Sequence, residues 1–391
     1  MARQIYLDNS ATTRISESAL GEYVRVSREM WGNPSSLHSL GAEAERTIEA
    51  SKQTILYTIG AKDSELIFTS SGTEANNLAI FGRAYAKERY KKGAKIITAL
   101  GEHASVSMPF AELKKRGYDV VNIPTVGGEL DFDFLSRELT PNVILLSIMM
   151  VNNESGAVYD LPRAAKLLRT KCPDAIFHVD ATQGYLKIPF TKAGTGADLI
   201  TLSSHKIEGP KGVGALVIGK NIMTKKGISP IIYGGGQELG LRSGTENVPG
   251  IAAFALAAKE GHSALGERIE RMNSLRERLV SKLQSDPRLS EISITLPKSH
   301  APHILNITLP AIKSETMLHY LSSEGIYVSS GSACSSNDSH LSSALTAYGR
   351  SPEEADSSIR ISFSHTNCED DVDELCEALA RGLVRLARIK R

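Results

Sequence analysis

At 391 residues the chain can bury a large core, and because single cores stop growing at roughly 250 to 300 residues, we expect two domains. Its 41% hydrophobic and 23% charged residues are ordinary for a globular protein in water. A formal net charge of +1 gives no field that would gather nucleic acid or an anionic membrane surface. Neither partner is predicted, and a small-molecule substrate is favoured.

The N-terminal residues, Met1-Ala-Arg-Gln-Ile-Tyr-Leu-Asp8, contain no long apolar run, and no stretch of the chain approaches ~18 uninterrupted apolar residues. We therefore expect a cytoplasmic protein without a membrane span. The cysteines lack CxxC or Cys/His ligand spacing, which predicts neither a disulfide framework nor a metal site. They are Cys172, Cys334, Cys368 and Cys376.

The first elements along the chain are a short strand at 5–8 and a helix over about 16–30. Residues 31–41 are too rich in Gly, Pro and Ser for regular structure. A long loop so early is often functional, and a solvated linker explains it equally well. Helical periodicity over 41–55 then precedes a strand at 65–68.

A small-residue turn, Thr69-Ser-Ser-Gly-Thr-Glu-Ala-Asn76, joins this strand to a helix that stops at 91–93. The free N–H groups and the positive dipole end at such a helix N-terminus suit a phosphate. Gly72 and Thr73 are therefore candidate phosphate-binding residues. The alternative is an ordinary strand–helix turn with Thr73 as its N-cap.

Strands and helices then alternate regularly. Continuous apolar strands with intervening helices predict an α/β fold whose largely parallel sheet is covered on both faces. The predicted strands are 95–98, 120–123, 143–148, 175–179 and 199–202, and the predicted helices are 104–116, 132–139 and 162–170.

Polar residues follow four of these strands, and the carboxyl ends of parallel strands meet at one edge of a sheet, where ligands bind. We therefore predict a functional site at this edge. The clusters are Glu102-His103, Asn152-Asn153-Glu154, Asp180 with Gln183, and Ser203-Ser-His205-Lys206.

Lys206 ends a buried strand, and Gly209, Pro210 and Gly212 break whatever follows. A lysine that is partly desolvated beside a histidine, as here beside His205, can have its pKa lowered enough to act as a nucleophile towards carbonyls. The alternative is a surface lysine in a turn.

A second region begins after the glycine-rich run 233–245. Its long helical stretch, 248–283, has no room in a compact doubly wound domain, so we expect it to lead into a smaller C-terminal unit. We predict a large domain at 13–258 and a small domain at 259–391, with residues 1–12 packed on the small one. The predicted elements of this unit are strands 292–296, 304–309, 326–329 and 359–363, a helix at 314–323 and a final helix at 371–389.

Cys334 lies within a loop of small polar residues, 329–339, that we expect to be exposed. Its thiol is then accessible, whereas free cysteines are usually buried. The alternative is a spectator thiol on a surface loop. We expect Cys172 and Cys376 to be buried and structural, and Cys368 to be incidental.

These residue types together suit pyridoxal 5'-phosphate and an amino acid. A lysine (Lys206) forms the Schiff base, a carboxylate (Asp180) keeps the pyridine nitrogen protonated, and an arginine fork (Arg360) grips a substrate carboxylate. His103 supplies a ring, and the turn at Thr73 supplies the phosphate cradle.

The sequence resembles the cysteine desulfurases of the NifS/IscS type, in the class V aminotransferase-like group of fold-type I pyridoxal phosphate enzymes. The resemblance extends essentially from end to end. It rests on these motifs: Tyr6-Leu-Asp-Asn-Ser-Ala-Thr-Thr13, Gly32-Asn-Pro-Ser-Ser-Leu-His38, Phe68-Thr-Ser-Ser-Gly-Thr-Glu74, Glu102-His103, Val151-Asn-Asn-Glu154, His178-Val-Asp-Ala-Thr-Gln183, Ser203-Ser-His-Lys206, Gly209-Pro-Lys-Gly212 and Arg242-Ser-Gly-Thr245.

The resemblance implies a role for each candidate residue. Lys206 carries the cofactor, His103 stacks on its ring and moves protons, and Asp180 pairs with the pyridine nitrogen. Gln183 contacts the ring hydroxyl, with Asn153 alongside. Arg360 and Asn153 bind the carboxylate of L-cysteine. The phosphate is held by Gly72, Thr73, Ser203 and His205, together with Thr245 of the other subunit, which implies a homodimer.

Ser330-Gly-Ser-Ala-Cys334-Ser resembles the active-site cysteine loop of the family, in its longer form. Cys334 then attacks the sulfur of the bound cysteine, which leaves a persulfide on Cys334 and yields alanine. The implied sulfur acceptor is an iron–sulfur scaffold or a tRNA thiolation enzyme. The chain ends without the longer extension that several relatives use to dock a scaffold, and Ser364 replaces a frequent glycine.

Other functions use the same residues. A selenocysteine lyase or an aminotransferase needs the same lysine, aspartate and arginine, and Cys334 in its loop is what favours sulfur transfer. A non-catalytic scaffold that binds some other phosphate ligand is the alternative outside the enzymes.

Overall fold

The computed structural model describes residues 4–87, 93–310, 312–330 and 342–387. Its strands, numbered in chain order, are β1 (Ile5–Tyr6), β2 (Ser64–Thr69), β3 (Lys95–Ala99), β4 (Asp119–Ile123), β5 (Val143–Met149), β6 (Ile176–Asp180), β7 (Leu199–Ser203), β8 (Gly214–Gly219), β9 (Ser293–Thr295), β10 (Ile304–Thr308), β11 (Ile326–Tyr327), β12 (Ser329–Ser330) and β13 (Ser358–Ser362).

The α-helices alternate with the strands of the first two thirds of the chain and dominate the last third. They are α1 (Glu17–Glu29), α2 (Ser39–Thr58), α3 (Gly72–Ala86), α4 (Ala104–Lys115), α5 (Phe132–Glu138), α6 (Leu161–Lys171), α7 (Lys192–Thr195), α8 (Lys220–Thr224), α9 (Val248–Ser263), α10 (Leu265–Ser285), α11 (Ser314–Ser323), α12 (Ser343–Tyr348), α13 (Pro352–Asp356) and α14 (Glu369–Ala387). None of the helices within the described residues is long and apolar enough to cross a membrane.

The largest sheet has seven strands in the order β2-β8-β7-β6-β5-β3-β4. β8 runs antiparallel to both of its neighbours, and every other adjacent pair is parallel. The predicted α/β fold with a mostly parallel sheet is confirmed. Six strands therefore point the same way, and their carboxyl ends share one edge of the sheet.

β8 itself was not predicted. All six of its residues are buried, but no α-helix separates the strand from β7, only a 3₁₀ turn and the residues up to Val213. The regular alternation of strands and helices along the chain predicts a helix after β7, and Gly209, Pro210 and Gly212 predict a break in regular structure, so neither pattern predicts β8. The predicted stretch 248–283 is likewise two helices, which meet at Ala264. The predicted strand 326–329 is divided between β11 and β12, which belong to different sheets.

Alternate residues of the central strands enter the cores on opposite faces of the sheet, as the two-residue period of a strand requires. In β8, Ala215 and Val217 join the core beneath α9, while Leu216 and Ile218 join the core beneath α3. In β7, Ile200 likewise joins the core beneath α9, and Leu199 joins the core beneath α3. Both faces are covered, which explains why these strands are apolar throughout.

A further core belongs to the last third of the chain. It includes Ile5 and Leu7 and then residues between Met272 and Ala380. It packs against an antiparallel sheet of the order β12-β13-β10-β9 and against the parallel pair β1-β11. The division at 258/259, which falls within α9, remains our proposal.

Gly214 gives a test of how closely β8 approaches the start of α3. A Cβ on Gly214 would lie 2.3 Å from the carbonyl carbon of Ser71 and 2.7 Å from the backbone nitrogen of Gly72, so the backbone would have to move. We expect Gly214→Ala to lower the free energy of unfolding by roughly 1–3 kcal/mol, measured by urea denaturation. Gly21→Ala is the matched control, because Gly21 lies in α1 with nothing within 4 Å of an added Cβ. It should stabilise the protein by about 0.5–1 kcal/mol, and a Gly214→Ala protein as stable as this control would contradict the close approach.

Candidate active site

A cavity of about 390 Å³ lies at the edge of the sheet where the parallel strands end. Ten of the predicted site residues line it. They are Gly72, Thr73, His103, Asn153, Asp180, Gln183, Ser203, His205, Lys206 and Arg360. The structure thus brings together residues from β6, from the turns after β2, β3, β5, β6 and β7, and from β13 of the C-terminal part.

Two predicted residues are not brought to this cavity. Thr245 is exposed and lies outside the lining of its own chain's cavity, so any contribution it makes must be to another site. Cys334 lies outside the described residues. Cys172 and Cys376 are buried, as predicted, and burial raises the pKa of both thiols, that of Cys376 to about 12. Neither is suited to act as a thiolate near neutral pH.

Lys206 ends a single 3₁₀ turn that follows β7. Its Nζ donates hydrogen bonds to the carbonyl oxygens of Ser10 and Ala11, the latter at 2.8 Å. The N-terminal segment 8–13, which lies between β1 and α1, therefore crosses the cavity at the amine. The predicted position of the lysine at a strand's carboxyl end agrees with the structure.

His205 is held by the same N-terminal segment. Its Nδ1 lies 3.1 Å from Thr12 Oγ1, and its carbonyl accepts from both the backbone and the side chain of Thr13, each at 2.9 Å. Burial, with the charges of Lys206 and Lys211 adding to it, lowers the pKa of His205 to about 4. The imidazole is therefore neutral at neutral pH, so it can bind an anion only as a hydrogen-bond donor.

Asp180 ends β6 and is fixed by two hydrogen bonds. Its Oδ1 accepts from the backbone N–H of Thr182 at 2.9 Å, and its Oδ2 accepts from Asn76 Nδ2 at 2.8 Å. Asn76 Nδ2 also donates to Ser105 Oγ at 2.8 Å. Because Ser105 in turn contacts His103, a chain of polar groups joins the carboxylate to the histidine.

His103 caps the N-terminus of α4. Its Nδ1 accepts from the backbone N–H of Ser105 at 3.1 Å, so Nδ1 carries no proton and the neutral ring is protonated at Nε2. Burial lowers the pKa of His103; Asp180 opposes this shift, and Lys206 and Arg360 add to it. A neutral ring with a defined tautomer is thus presented to the cavity.

The turn between β2 and α3 presents the N-terminus of a helix to the cavity. Ser71 is the N-cap of α3 and Gly72 is its first residue, whereas the alternative interpretation of the sequence predicted Thr73 as the N-cap. A Cβ on Gly72 would lie 3.2 Å from Thr182 Oγ1 and 3.4 Å from Ser203 Cβ, so it would narrow the cavity. Ser203 Oγ is buried, and no described residue offers it a hydrogen bond. An unsatisfied hydroxyl beside a helix N-terminus is what a bound phosphate would satisfy.

Arg360 reaches the cavity from the middle of β13. Its Nη2 donates to Asp8 Oδ1 at 2.8 Å, and its Nη1 donates to the carbonyl oxygen of Asn153 at 2.9 Å. Its buried Nε has no hydrogen-bond partner within the described part of the chain. The guanidinium is therefore clamped on one side and has donors left for a ligand.

Buried polar groups also support the floor of the cavity. Gln183 Nε2 donates to the carbonyl oxygen of Ser10 at 2.9 Å. Glu102 Oε1 accepts from the backbone N–H of Met149 at 2.7 Å, and burial raises the pKa of Glu102 well above its usual range. Glu102 thus braces the end of β5 rather than supplying a carboxylate to the ligand.

Several functional residues were missed by the sequence analysis. Asp8, Ser10 and Ala11 line the cavity, although the motif from Tyr6 to Thr13 was noted without a role for any of its members. Asn76 and Ser105 were also overlooked, because both lie within the first turns of helices. The sequence does contain a weak indication of their role, because each is a small polar residue at a helix position where the pattern predicts an apolar side chain.

The family of the chain follows from its similarity to known proteins. The chain matches the family described as Aminotransferase class-V over residues 5–375. It belongs to the class V aminotransferase family.

Within that family the chain is similar to desulfurases over its full length. It is 39% identical to the NifS/IcsS protein homolog of Lactobacillus delbrueckii subsp. bulgaricus, over 96% of each chain. It is 37% identical to the cysteine desulfurase IscS of Dictyoglomus turgidum, over 100% of this chain and 97% of that protein. A solved structure titled NifS-like protein superposes with a TM-score of 0.90 at 34% identity, covering 98% of this chain and 100% of that one. The predicted NifS/IscS-type membership is confirmed.

Members of this family depend on pyridoxal phosphate, and the residues present fit that group. The unsatisfied Ser203 hydroxyl and the open turn at Gly72 suit its phosphate, and Asp180, which lines the same cavity, suits its pyridine nitrogen. Lys206 supplies an amine in the same cavity. Among the described residues, no group of His, Cys, Asp and Glu is arranged to hold a metal ion.

Proposed function

We propose that this protein is a pyridoxal phosphate-dependent cysteine desulfurase, which converts L-cysteine to L-alanine and passes the sulfur through Cys334 to an acceptor protein. The observation that carries the proposal is the convergence of Lys206, Asp180 and Arg360 on one cavity. An amine, a carboxylate for the ring nitrogen and a cation for the substrate carboxylate are the minimum set for this chemistry.

The cofactor, when bound, supplies an electron sink for the substrate carbons. Lys206 would hold it covalently, and Asp180, fixed by Asn76, would keep its ring nitrogen protonated. His103 would lie against the ring, and its neutral state with Nδ1 held by the Ser105 N–H leaves Nε2–H as a hydrogen-bond donor towards the cavity. The N-terminus of α3 with Ser203, His205 and Thr73 would hold the phosphate.

Arg360 and Asn153 would position the carboxylate of L-cysteine. The thiolate of Cys334 would attack the sulfur of L-cysteine, so that an S–S bond forms and the C–S bond breaks. The electron pair of the C–S bond goes to the substrate carbon, which takes up a proton and leaves as alanine. The acceptor is an iron–sulfur scaffold or a tRNA thiolation enzyme, and the proposed compartment is the cytoplasm.

Replacing Lys206 with alanine tests the attachment of the cofactor. We expect borohydride to trap the cofactor on the wild-type protein and not on Lys206→Ala, which should also lose turnover, because Lys206 is the lysine that lines the cavity. Lys211→Ala is the control: Lys211 lies outside the cavity lining, and its loss should leave the trapped linkage intact. A trapped linkage in Lys206→Ala, detected by mass spectrometry, would remove Lys206 from this role.

Replacing Cys334 with serine separates sulfur transfer from substrate binding. The variant should still bind cofactor and show spectral changes with L-cysteine, because Lys206, Asp180 and Arg360 are unaltered. Alanine formation should fall by ~10³-fold or more, since serine is a far weaker nucleophile. Cys368→Ser should keep the wild-type rate, and labelled sulfur should map to Cys334 in the wild type. Wild-type alanine release by Cys334→Ser would reassign the reaction to a cysteine-independent lyase.

We also propose that the active form is a homodimer in which Thr245 reaches the phosphate site of the other subunit. Thr245 is exposed and does not line its own chain's cavity. The same segment, 232–245, exposes three large apolar side chains, Ile232, Tyr233 and Leu239, and Trp31 and Leu37 are exposed as well. Solvent-exposed aromatic and aliphatic residues of this size mark interaction surfaces.

Sedimentation velocity tests the dimer. The wild type should sediment as a dimer, and Leu239→Glu should shift it towards the monomer with a loss of cofactor affinity, because a charge would be buried at the interface. Val384→Glu, an exposed apolar position in α14, is the matched control and should remain dimeric. A fully active monomer at assay concentration would contradict the proposal.

A further inference from the structure

Arg360 already has an acidic partner in the protein. Asp8 Oδ1 accepts from Arg360 Nη2 at 2.8 Å, and the side chains are only 8% (Arg360) and 19% (Asp8) exposed. Asp8 also lines the cavity beside Arg360. A ligand carboxylate that binds to Arg360 therefore lies close to the carboxylate of Asp8, which is already in contact with the same guanidinium.

The guanidinium has room for both. Arginine carries five N–H donors, and the bonds to Asp8 and to the carbonyl of Asn153 use two of them. The remaining donors include Nε, which is buried and lacks a partner among the described residues. A ligand carboxylate can thus bind Arg360 without displacing Asp8, and then two negative charges share one positive charge.

We propose that Asp8 is a positioning residue that orients Arg360 and limits how tightly the site holds any carboxylate, L-alanine included. This inference rests on the proposed function in one respect, the binding of an amino acid carboxylate by Arg360. L-cysteine and L-alanine carry the same carboxylate and amine, so a site with a high affinity for these two groups would also release the product slowly. The charge of Asp8 lowers the affinity of the site for both molecules.

Electrostatics gives the direction of the effect. Without the charge of Asp8, a mostly buried guanidinium would lack its counter-ion and would gain more from an incoming carboxylate. The repulsion between two carboxylates around one arginine would also disappear. For charges a few ångströms apart in a partly buried site, this is worth about tenfold or more in affinity. A merely structural role predicts the opposite sign, because a misplaced Arg360 would bind carboxylates more weakly.

The backbone around Asp8 does not depend on its side chain. Leu7 donates from its N–H to the carbonyl of Tyr327 at 2.8 Å, and Ser10 donates from its N–H to Ser362 Oγ at 2.8 Å. Arg360 is held in β13 by pairing with both β10 and β12. An asparagine at position 8 keeps the size and one acceptor oxygen, so the charge can be removed with little disturbance.

The test uses the cofactor-loaded protein and propionate, which has a carboxylate but no amine that could react with the cofactor. Calorimetry should show propionate binding about tenfold tighter to Asp8→Asn and to Asp8→Ser than to the wild type. The inhibition constant of L-alanine and the KM for L-cysteine should fall in the same direction. Asp8→Glu, which keeps the charge, should stay near the wild-type affinity, and Arg360→Ala should lose propionate binding.

Asp373→Asn is the matched control, because it removes a carboxylate from the arginine pair Arg278–Asp373, which lies outside the cavity lining. It should leave propionate binding unchanged.

Equal or weaker propionate binding by both neutral variants at position 8, or no detectable binding by any of the proteins, would overturn the inference. If the variants tighten binding but the protein forms no alanine from cysteine, the proposed function fails while the role of Asp8 stands. If alanine forms but binding does not tighten, the role of Asp8 fails alone.

Discussion

The hydrogen bonds of the N-terminal segment 8–13 are the constraint on which the site depends. The seven-stranded sheet brings the carboxyl ends of six strands to one edge, but the segment determines how the side chains there are hydrogen-bonded. Its carbonyls accept from Lys206 and Gln183, its threonines hold His205, and Asp8 binds Arg360. Because β1 pairs with β11, the segment also ties this edge to the C-terminal core. The cavity is thus built from two parts of the molecule, and this segment joins them in addition to the bond between Arg360 and the carbonyl of Asn153.

Burial decides the charge state of this site. Both histidines of the cavity, His103 and His205, have lowered pKa values chiefly because they are shielded from water, so they are neutral where exposed histidines would begin to charge. The buried Glu102 has its pKa raised for the same reason. The groups that remain to balance one another are Asp8, Asp180, Arg360 and Lys206. A balanced set of this kind avoids an uncompensated buried charge while leaving donors for an anionic ligand.

Much of this arrangement could be predicted from the sequence, because it follows from periodicity and position. The apolar runs of the parallel strands and the polar residues just after them were enough to locate Lys206, Asp180 and His103 at one edge. The roles of Asp8 and Ser10 could not be predicted from local pattern, since their partners lie 352 and 196 residues away along the chain. β8 was missed because its antiparallel return breaks the strand–helix alternation. Arg360 and Cys334 were candidates from their residue types, but only the resemblance to the desulfurases gave Cys334 its role in sulfur transfer, because the composition of its loop predicts no more than an accessible thiol.

Asp8 and Arg360 are 352 residues apart along the chain, and this sequence separation determines when the complete site can form during synthesis. A ribosome that adds about 5–20 residues per second needs roughly 20 to 70 s to travel from one to the other. During that time the large sheet can form, with Lys206 and the α3 cradle already in place, while the N-terminal segment has neither β11 nor β13 to bind. The contacts of the segment with His205 and Lys206 need only the first 206 residues of the chain, whereas the pairing of β1 with β11 and the Asp8–Arg360 ion pair need its last third. The part of the cavity that holds Lys206 can therefore assemble in the growing chain before the arginine that would bind a substrate carboxylate has been made.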